Sequence, residues 1–193
     1  MTTLTIALTE GFADWEAAML AATARSWYGV DVRHATLDGG GVRSAGGMQV
    51  TPDDTLDQAL NGADAIAVIG GRIWRTDAAP DLTVRLQSFQ AAGKIVGGIC
   101  DGTRALARAG LLDRIHHTSN DADTLDVPGY AGAAHFAAAG RAVRDGTIVT
   151  ASGLQPVSFM AEMLRAMGIG DQNLQDYEGL LAQEHQRPAV SLG

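Results

Sequence analysis

Two short apolar runs constrain the fold of this chain more than any other feature. Residues 64–69 and 94–99 are rich in Ala, Ile, Val and Gly and show no alternation of polar and apolar side chains. Such runs are typical of parallel strands that are buried on both faces of a sheet. The segments between predicted strands have helical spacing, so we expect an α/β fold with a mostly parallel central sheet covered on both faces. A functional site in such a sheet lies beyond the carboxyl ends of the strands.

The remaining segments alternate between strand and helix. Further strands are predicted at residues 4–8, 30–35 and 147–150, and a glycine-rich stretch predicts a small hairpin of residues 42–44 with 48–50. Helices are predicted at residues 14–27, with Asp14 as the N-cap, and at 81–92, 103–109, 156–167 and 172–186. Residues 188–193 are expected to form a frayed tail.

Charge and cysteine content exclude several classes of function. The chain has 193 residues, 22 acidic and 14 basic, giving a net charge of −8 with no basic run. This balance argues against binding to nucleic acid or to an anionic membrane surface. A single cysteine excludes an internal disulfide and suits a reducing compartment. With no secretory signal and no membrane span predicted, we expect a cytoplasmic protein that acts on a small molecule.

Cys100 carries the strongest local signal for chemistry. It follows the predicted strand 94–99, precedes a predicted helix, and has Gly98 and Gly102 as close neighbours. A strand that runs straight into a helix places a nucleophile on a sharp, strained turn at the sheet edge. The helix N-terminus would favour the thiolate over the thiol. The alternative is a buried cysteine acting as a small apolar side chain, but the glycine context favours a reactive thiol.

Three other strand ends and helix starts could contribute to the same site. The backbone amides of Gly70 and Gly71 could form an oxyanion hole with that of Asp101, or the glycines could make a simple tight turn. Glu16 lies in the first helix, where its spacing alone is typical of a solvated face. Asp101 beside Cys100 would oppose thiolate formation, so it either caps the helix or acts as an acid or base.

The histidines give a weaker signal. His116 and His117 are adjacent and point in different directions, so at most one of them faces a site, and both could be solvated loop residues. His116, His117 and His135 lack the spacing of metal ligands, so we expect no metal.

Several motifs together resemble the DJ-1/PfpI (ThiJ/PfpI) superfamily, which is related to class I glutamine amidotransferase domains. The resemblance covers roughly residues 3–168 and is carried by segments 10–16, 69–71, 99–107, 109–112 and 145–153. It implies a flavodoxin-like three-layer sandwich, a homodimer, and Cys100 as the nucleophile without a cofactor. It also implies that a protonated Glu16 carboxyl hydrogen-bonds the sulfur and that the amides of Gly71 and Asp101 hold an oxyanion.

Some positions depart from the family pattern. Many proteolytic relatives have His directly after the cysteine, where this chain has Asp101, and others have His about twenty residues later, where it has Asn120. Peptidase activity is therefore not expected. The motifs Gly-Gly-x-x-Trp at 70–74 and His-Thr-Ser-Asn at 117–120 resemble a bacterial branch of the family. Four further side chains are expected to line a substrate pocket: Asp14, Trp74, His117 and Asn120. We assign residues 1–170 to the family domain and expect residues 171–193 to pack on it as a helix and tail.

Three functions remain open at this point. The first is a cofactor-independent hydrolase or lyase, either a glyoxalase that acts on a dicarbonyl such as methylglyoxal or an isonitrile hydratase, in which Asp14 or Asp101 would matter. In both, Cys100, Glu16 and Asp101 are the candidate catalytic residues. The second is a stress-response or redox-sensing protein whose Cys100 is oxidised to a sulfinate without turnover. The third is a homologue with an inactive site.

Overall fold

The computed structural model describes residues 1–184 and places a parallel sheet at the centre of the molecule. The sheet has seven strands: β1 (Thr3–Ala7), β2 (Asp31–Thr36), β5 (Asp54–Thr55), β6 (Ala65–Val68), β7 (Ile95–Ile99), β8 (Val143–Asp145) and β9 (Ile148–Ala151). Their order is β5-β2-β1-β6-β7-β9-β8, and within this sheet only the β8–β9 pair is antiparallel. The predicted hairpin is confirmed as β3 (Val42–Arg43) paired with β4 (Gln49–Val50).

Helices cover both faces of the sheet, so the predicted three-layer α/β sandwich is confirmed. They are α1 (Asp14–Tyr28), α2 (Leu56–Leu60), α3 (Thr83–Ala91), α4 (Thr103–Arg108), α5 (Pro156–Ala166) and α6 (Gln172–Glu184). Helices α1 and α5 pack in one apolar cluster, whereas α2, α3 and α4 pack in a second cluster on the opposite face. The side chains of β1, β6 and β9 are all buried, and each of these strands contributes side chains to both clusters.

The strand order creates a cleft at the carboxyl edge of the sheet. From β1 the chain moves outward to β2 and then returns to β6 on the other side of β1. The connections after β1 and β6 therefore diverge, which is where ligands bind in open α/β sheets. Strand β7 follows β6 in the sheet, so its carboxyl end at Ile99 delivers Cys100 to this edge.

The structure differs from the sequence prediction at the start of α1 and at α2. Asp14 does not cap α1, because Ala13 occupies that position and the Asp14 carboxylate accepts a hydrogen bond from the Gly46 amide (2.8 Å). Helix α2 was missed, although Thr55 and Gln58 form a reciprocal capping box at its start. The C-terminal end predicted for the helix 172–186 and the predicted tail 188–193 lie outside the described residues.

Helix α6 follows the part of the chain assigned to the family domain. It packs against α5, and its Leu174 is fully buried in the cluster formed by α1 and α5. The division of the chain at residue 170 stays a prediction. None of the helices within residues 1–184 combines the length and apolar character needed to cross a bilayer.

Candidate active site

Cys100 lies on a strained turn between β7 and α4. Its φ angle is 57°, and no other non-glycine residue within the described part of the chain has a positive φ. Residues Cys100–Gly102 form one 3₁₀ turn that leads into α4, and a Cβ at Gly102 would collide with the carbonyl oxygen of Val68. A side chain held in the left-handed region costs on the order of 1–3 kcal/mol and is found mainly at functional sites.

Glu16 of α1 reaches the same point from the other side of the sheet edge. The residue is fully buried, its Oε2 accepts a hydrogen bond from the Gly70 amide (2.8 Å), and its Oε1 has no partner within the described residues. A Cβ on Gly153 would lie 2.8 Å from Glu16 Oε1 and 2.9 Å from Cys100 Sγ, so both atoms face one small space. The unpartnered oxygen therefore lies beside the sulfur.

The Glu16 carboxylate opposes ionisation of the Cys100 thiol, whereas the thiol favours ionisation of the carboxyl. Burial raises the pKa of Glu16 to about 7, against the lowering effects of the Gly70 amide and of the Cys100 side chain. Burial and then the negative charge of Glu16 raise the pKa of the Cys100 thiol to about 12. The prediction that the helix N-terminus lowers this pKa is wrong, because desolvation outweighs it. At neutral pH the sulfur holds its proton, and Glu16 is the adjacent group able to accept it.

The raised pKa of Glu16 predicts a stability change for Glu16→Gln. Folding binds this proton more tightly, so the stabilisation is complete below pH 4.5 and is lost as pH rises through about 7. Glu16→Gln should abolish that loss. Near pH 8 the free energy of unfolding of the variant should therefore exceed that of the wild type by up to about 3 kcal/mol. Urea denaturation of both proteins near pH 4.5 and pH 8 measures the difference. An equal difference at the two pH values would contradict a raised pKa.

Asn120 supplies a donor to the sulfur from the loop after α4. Its Nδ2 lies 3.3 Å from Cys100 Sγ. Its Oδ1 accepts from the Gly153 amide (2.9 Å) and from the Ser152 hydroxyl (3.2 Å). Because these two donors hold the oxygen, the amide nitrogen must face Cys100. The position where some relatives have His thus carries a fixed, uncharged donor.

The two glycines after β6 differ in their contacts. The Gly70 amide already donates to Glu16, which removes it from an oxyanion hole while Glu16 occupies that position. A Cβ on Gly70 would lie 2.6 Å from both Cys100 Cβ and Glu16 Oε2, so glycine is needed here for space. Gly71 packs against the backbone of Gly11, and its role as an oxyanion donor stays a prediction. The Asp101 amide lowers the pKa of the Cys100 thiol, against the larger effect of burial, and its role as an oxyanion donor also stays a prediction.

Asp101 is held by an arginine that the sequence did not single out. Arg75 Nε donates to both carboxylate oxygens of Asp101 (2.9 and 3.0 Å), and Arg75 Nη2 lies 2.7 Å from Oδ1. Arg75 also donates to the Thr124 hydroxyl. This paired carboxylate is poorly placed to act as an acid or base, and no local pattern links residues 75 and 101.

The other expected pocket residues hydrogen-bond groups other than the sulfur. Asp14 binds the hairpin that follows β2, and Trp74 is fully buried with its Nε1 donating to the Ile69 carbonyl (2.9 Å). His117 is also buried, with its ring nitrogens on the Tyr130 hydroxyl (2.7 Å) and the Ile115 carbonyl (2.8 Å). Their role in a substrate pocket receives no support from these contacts.

Comparison with known proteins gives a consistent result. The sequence model of the DJ-1/PfpI family matches residues 2–166. A crystal structure of the DJ-1 superfamily protein Atu0886 from Agrobacterium tumefaciens is 41% identical, with a TM-score of 0.93 over 96% of this chain and 100% of that one. A thiJ/pfpI family protein from Bacillus anthracis is 28% identical, with a TM-score of 0.83 over 93% of this chain and 91% of that one.

One relative of this chain is named as a protease. The "Uncharacterized protease YoaZ" of Bacillus subtilis is 34% identical over 131 residues. That alignment covers 66% of this chain and 62% of the length of YoaZ.

Proposed function

This chain belongs to the DJ-1/PfpI family, and on that premise we propose that it is a cofactor-independent enzyme that converts a small 2-oxoaldehyde such as methylglyoxal into a 2-hydroxy acid. The observation that carries the proposal is the unpartnered Oε1 of Glu16 beside Cys100 Sγ. A base with a pKa near 7 next to a thiol that stays protonated suits a reaction in which proton removal accompanies attack on a bound carbonyl.

The chemistry needs only this pair and water. Cys100 Sγ bonds to the aldehyde carbon while its proton passes through Glu16 to the carbonyl oxygen, which gives a hemithioacetal. Glu16 then takes the proton from the former aldehyde carbon and returns it to the neighbouring carbon, while the hydroxyl proton moves from the oxygen on the former aldehyde carbon to the oxygen on the neighbouring carbon. The former aldehyde carbon is thereby oxidised to the level of an acid and the neighbouring carbonyl is reduced to an alcohol. The product is a thioester. Water breaks the C–S bond, releases the 2-hydroxy acid and restores the thiol.

Two fixed donors support the negative oxygen that develops in these steps. Asn120 Nδ2 contacts the sulfur and the Asp101 amide lowers the thiol pKa, so we expect an oxygen on the attacked carbon to lie within reach of both donors. Preorganised donors of this kind each contribute about 10²–10³-fold to rate in acyl-transfer enzymes. Asn120 needs no reorientation, because Ser152 and Gly153 already hold its oxygen.

Isonitrile hydration has weaker support. That reaction calls for an acidic residue besides Glu16, and the candidates were Asp14 and Asp101. The Asp14 carboxylate accepts from Gly46, while the hydrogen bond with Ser44 holds its pKa below the ordinary value. Asp101 is paired with Arg75. Neither carboxyl is available to protonate a substrate held at Cys100.

A redox sensor is the second candidate function. The unpartnered Oε1 of Glu16, when protonated, could donate to an oxygen of a Cys100 sulfinate. The thiol pKa of about 12 argues against rapid oxidation, because the thiolate is the form that reacts with peroxide.

A peptidase, which the name of YoaZ suggests for that protein, is not proposed here. Cysteine peptidases pair the thiol with a histidine. In this chain Asn120 contacts the sulfur, and both ring nitrogens of His117 form hydrogen bonds with other groups, the Tyr130 hydroxyl and the Ile115 carbonyl.

We further propose a cytoplasmic homodimer, as the family resemblance implies. Two large apolar side chains near the mouth of the site, Trp15 and Leu154, are 54% and 87% exposed. Sedimentation analysis of the purified protein tests the dimer.

Incubation of the protein with methylglyoxal tests the proposed function. Proton NMR should show lactate accumulating in molar excess over enzyme, without added cofactor. Cyclohexyl isocyanide, followed as its formamide, tests isonitrile hydration in parallel. Mass spectrometry after mild peroxide tests the sensor, for which a gain of two oxygens at Cys100 is expected. Absence of lactate together with rapid formation of the sulfinate would contradict the proposed enzymatic function and support the redox sensor.

A further inference from the structure

Two buried hydroxyls are joined to the turn that carries Cys100, and the proposed reaction does not use them. Thr103 is fully buried at the start of α4. Ser119 is 3% exposed and lies in the loop of residues 117–120, which also carries Asn120. Thr103 Oγ1 lies 2.7 Å from the Cys100 carbonyl oxygen and 2.7 Å from Ser119 Oγ. The Thr103 hydroxyl therefore bridges the backbone of the nucleophile and the loop.

The direction of these hydrogen bonds follows from the chemistry of the three groups. A carbonyl oxygen only accepts, so the Thr103 hydroxyl donates its one proton to Cys100. Thr103 Oγ1 is then the acceptor toward Ser119, and the Ser119 hydroxyl is the donor. The chain of hydrogen bonds runs from Ser119 through Thr103 to the Cys100 backbone. Because Cys100 has a strained φ angle of 57°, contacts from the surrounding structure must hold its backbone in place.

The loop of residues 117–120 also presents the donor that faces the sulfur. Asn120 Nδ2 lies 3.3 Å from Sγ, and its Oδ1 is held by two donors that follow β9. The Thr118 amide donates to Thr150 Oγ1 of β9 (2.9 Å). These contacts fix the loop to β9, whereas the sulfur is carried by the turn after β7. The hydrogen bond from Ser119 to Thr103 connects the loop to that turn, one residue before Asn120.

We propose that Thr103 and Ser119 are positioning residues for the reaction at Cys100, because their hydroxyls lock the strained backbone of the nucleophile to the loop that carries Asn120. The lock keeps the Asn120 donor within reach of the sulfur and of an oxygen on the attacked carbon. A donor that is already in place needs no reorganisation when negative charge develops. The effect on turnover rests on the proposed function, but the contact between Asn120 and the sulfur can be tested without a substrate.

Alkylation of Cys100 by iodoacetamide at pH 9 tests the proposal. The Asn120 side chain lowers the thiol pKa, so losing this contact reduces the fraction of thiolate and slows the reaction. Asn120→Leu keeps the shape of the side chain without the donor and should slow alkylation by about tenfold. Ser119→Ala and Thr103→Val should each slow it by roughly three- to tenfold. Thr103→Ser keeps the hydroxyl and should restore the wild-type rate.

A double variant separates positioning from a general loss of stability. If Ser119 acts through Asn120, the variant Ser119→Ala, Asn120→Leu should react no more slowly than Asn120→Leu alone, because both changes remove the same contact. Thr5→Val is a matched control for Thr103→Val, since Thr5 is also fully buried and donates to a carbonyl, that of Ala59 in α2 (2.9 Å). It should lower the midpoint of urea denaturation and leave the alkylation rate unchanged.

Turnover of methylglyoxal gives a second readout. Ser119→Ala should lower kcat on the order of 10-fold with little change in KM, because the fixed donor matters most when charge develops on the attacked carbonyl. Absence of lactate from the wild type would contradict the proposed function, whereas the alkylation rates would still decide whether the hydroxyls position Asn120. Ser119→Ala carries the test if Thr103→Val does not fold. A wild-type alkylation rate in Ser119→Ala, or additive losses in the double variant, would overturn the proposal.

Discussion

Replacing Cys100 by serine is expected to lower kcat/KM for methylglyoxal by at least about 10³-fold. The serine hydroxyl is a far weaker acid than the thiol, and Glu16, with a pKa near 7, is too weak a base to ionise it. Serine fits the same turn, so substrate can still enter the cleft. Lactate formation under saturating and limiting methylglyoxal measures the loss.

The serine variant should keep its fold, because the φ angle of 57° strains either side chain alike. Near-UV circular dichroism and the midpoint of urea denaturation provide two checks that do not depend on the site. Retention of more than a tenth of the wild-type kcat/KM in a folded Cys100→Ser protein would exclude the sulfur as the nucleophile.

Replacing Glu16 by glutamine should lower kcat by about 10²–10⁴-fold, the usual contribution of a general base. The amide keeps the shape and can still accept from Gly70, but it cannot take the thiol proton. In the wild type kcat/KM should rise with pH through about 7, because Glu16 acts as a base only when it is ionised. In the variant this rise should vanish.

A matched variant separates the base from a simple change of net charge. Glu178→Gln removes a carboxylate from α6 that pairs with Arg165 (2.6 Å) and Arg141 (3.3 Å). Its kcat and pH profile should match those of the wild type. A rise in kcat/KM near pH 7 that persists in Glu16→Gln would assign the ionisation to another group.

The sheet and its edge could be predicted from local sequence, because buried strands need continuous apolar runs. The runs at 64–69 and 94–99 gave β6 and β7 to within two residues. Elements of two to five residues, such as β5 and α2, carry too few side chains for a periodicity to emerge. Asp14 was misassigned because a capping residue and a residue that binds a distant amide look alike in sequence.

The chemistry of the site depends on contacts between distant parts of the chain. Glu16 and Gly70 are 54 positions apart, and Arg75 and Asp101 are 26 apart. The thiol pKa also depends on contacts that local sequence does not reveal. The local features of a helix N-terminus predict a lower value, whereas burial and the charge of Glu16, which arise only in the folded chain, raise it. Gly153 similarly closes over the sulfur from the end of β9 without any local sign of that role.

The coupling of Cys100 to Glu16 is tested most directly by the pH dependence of iodoacetamide alkylation. Because the chain has one cysteine, intact mass reports this site alone. In the wild type the midpoint should lie well above the ordinary thiol value of about 8.5. In Glu16→Gln it should fall, so that the variant is alkylated faster above pH 7 although it turns over more slowly. A wild-type midpoint near 8.5, or the same midpoint in both proteins, would show that the sulfur and the carboxyl are not coupled.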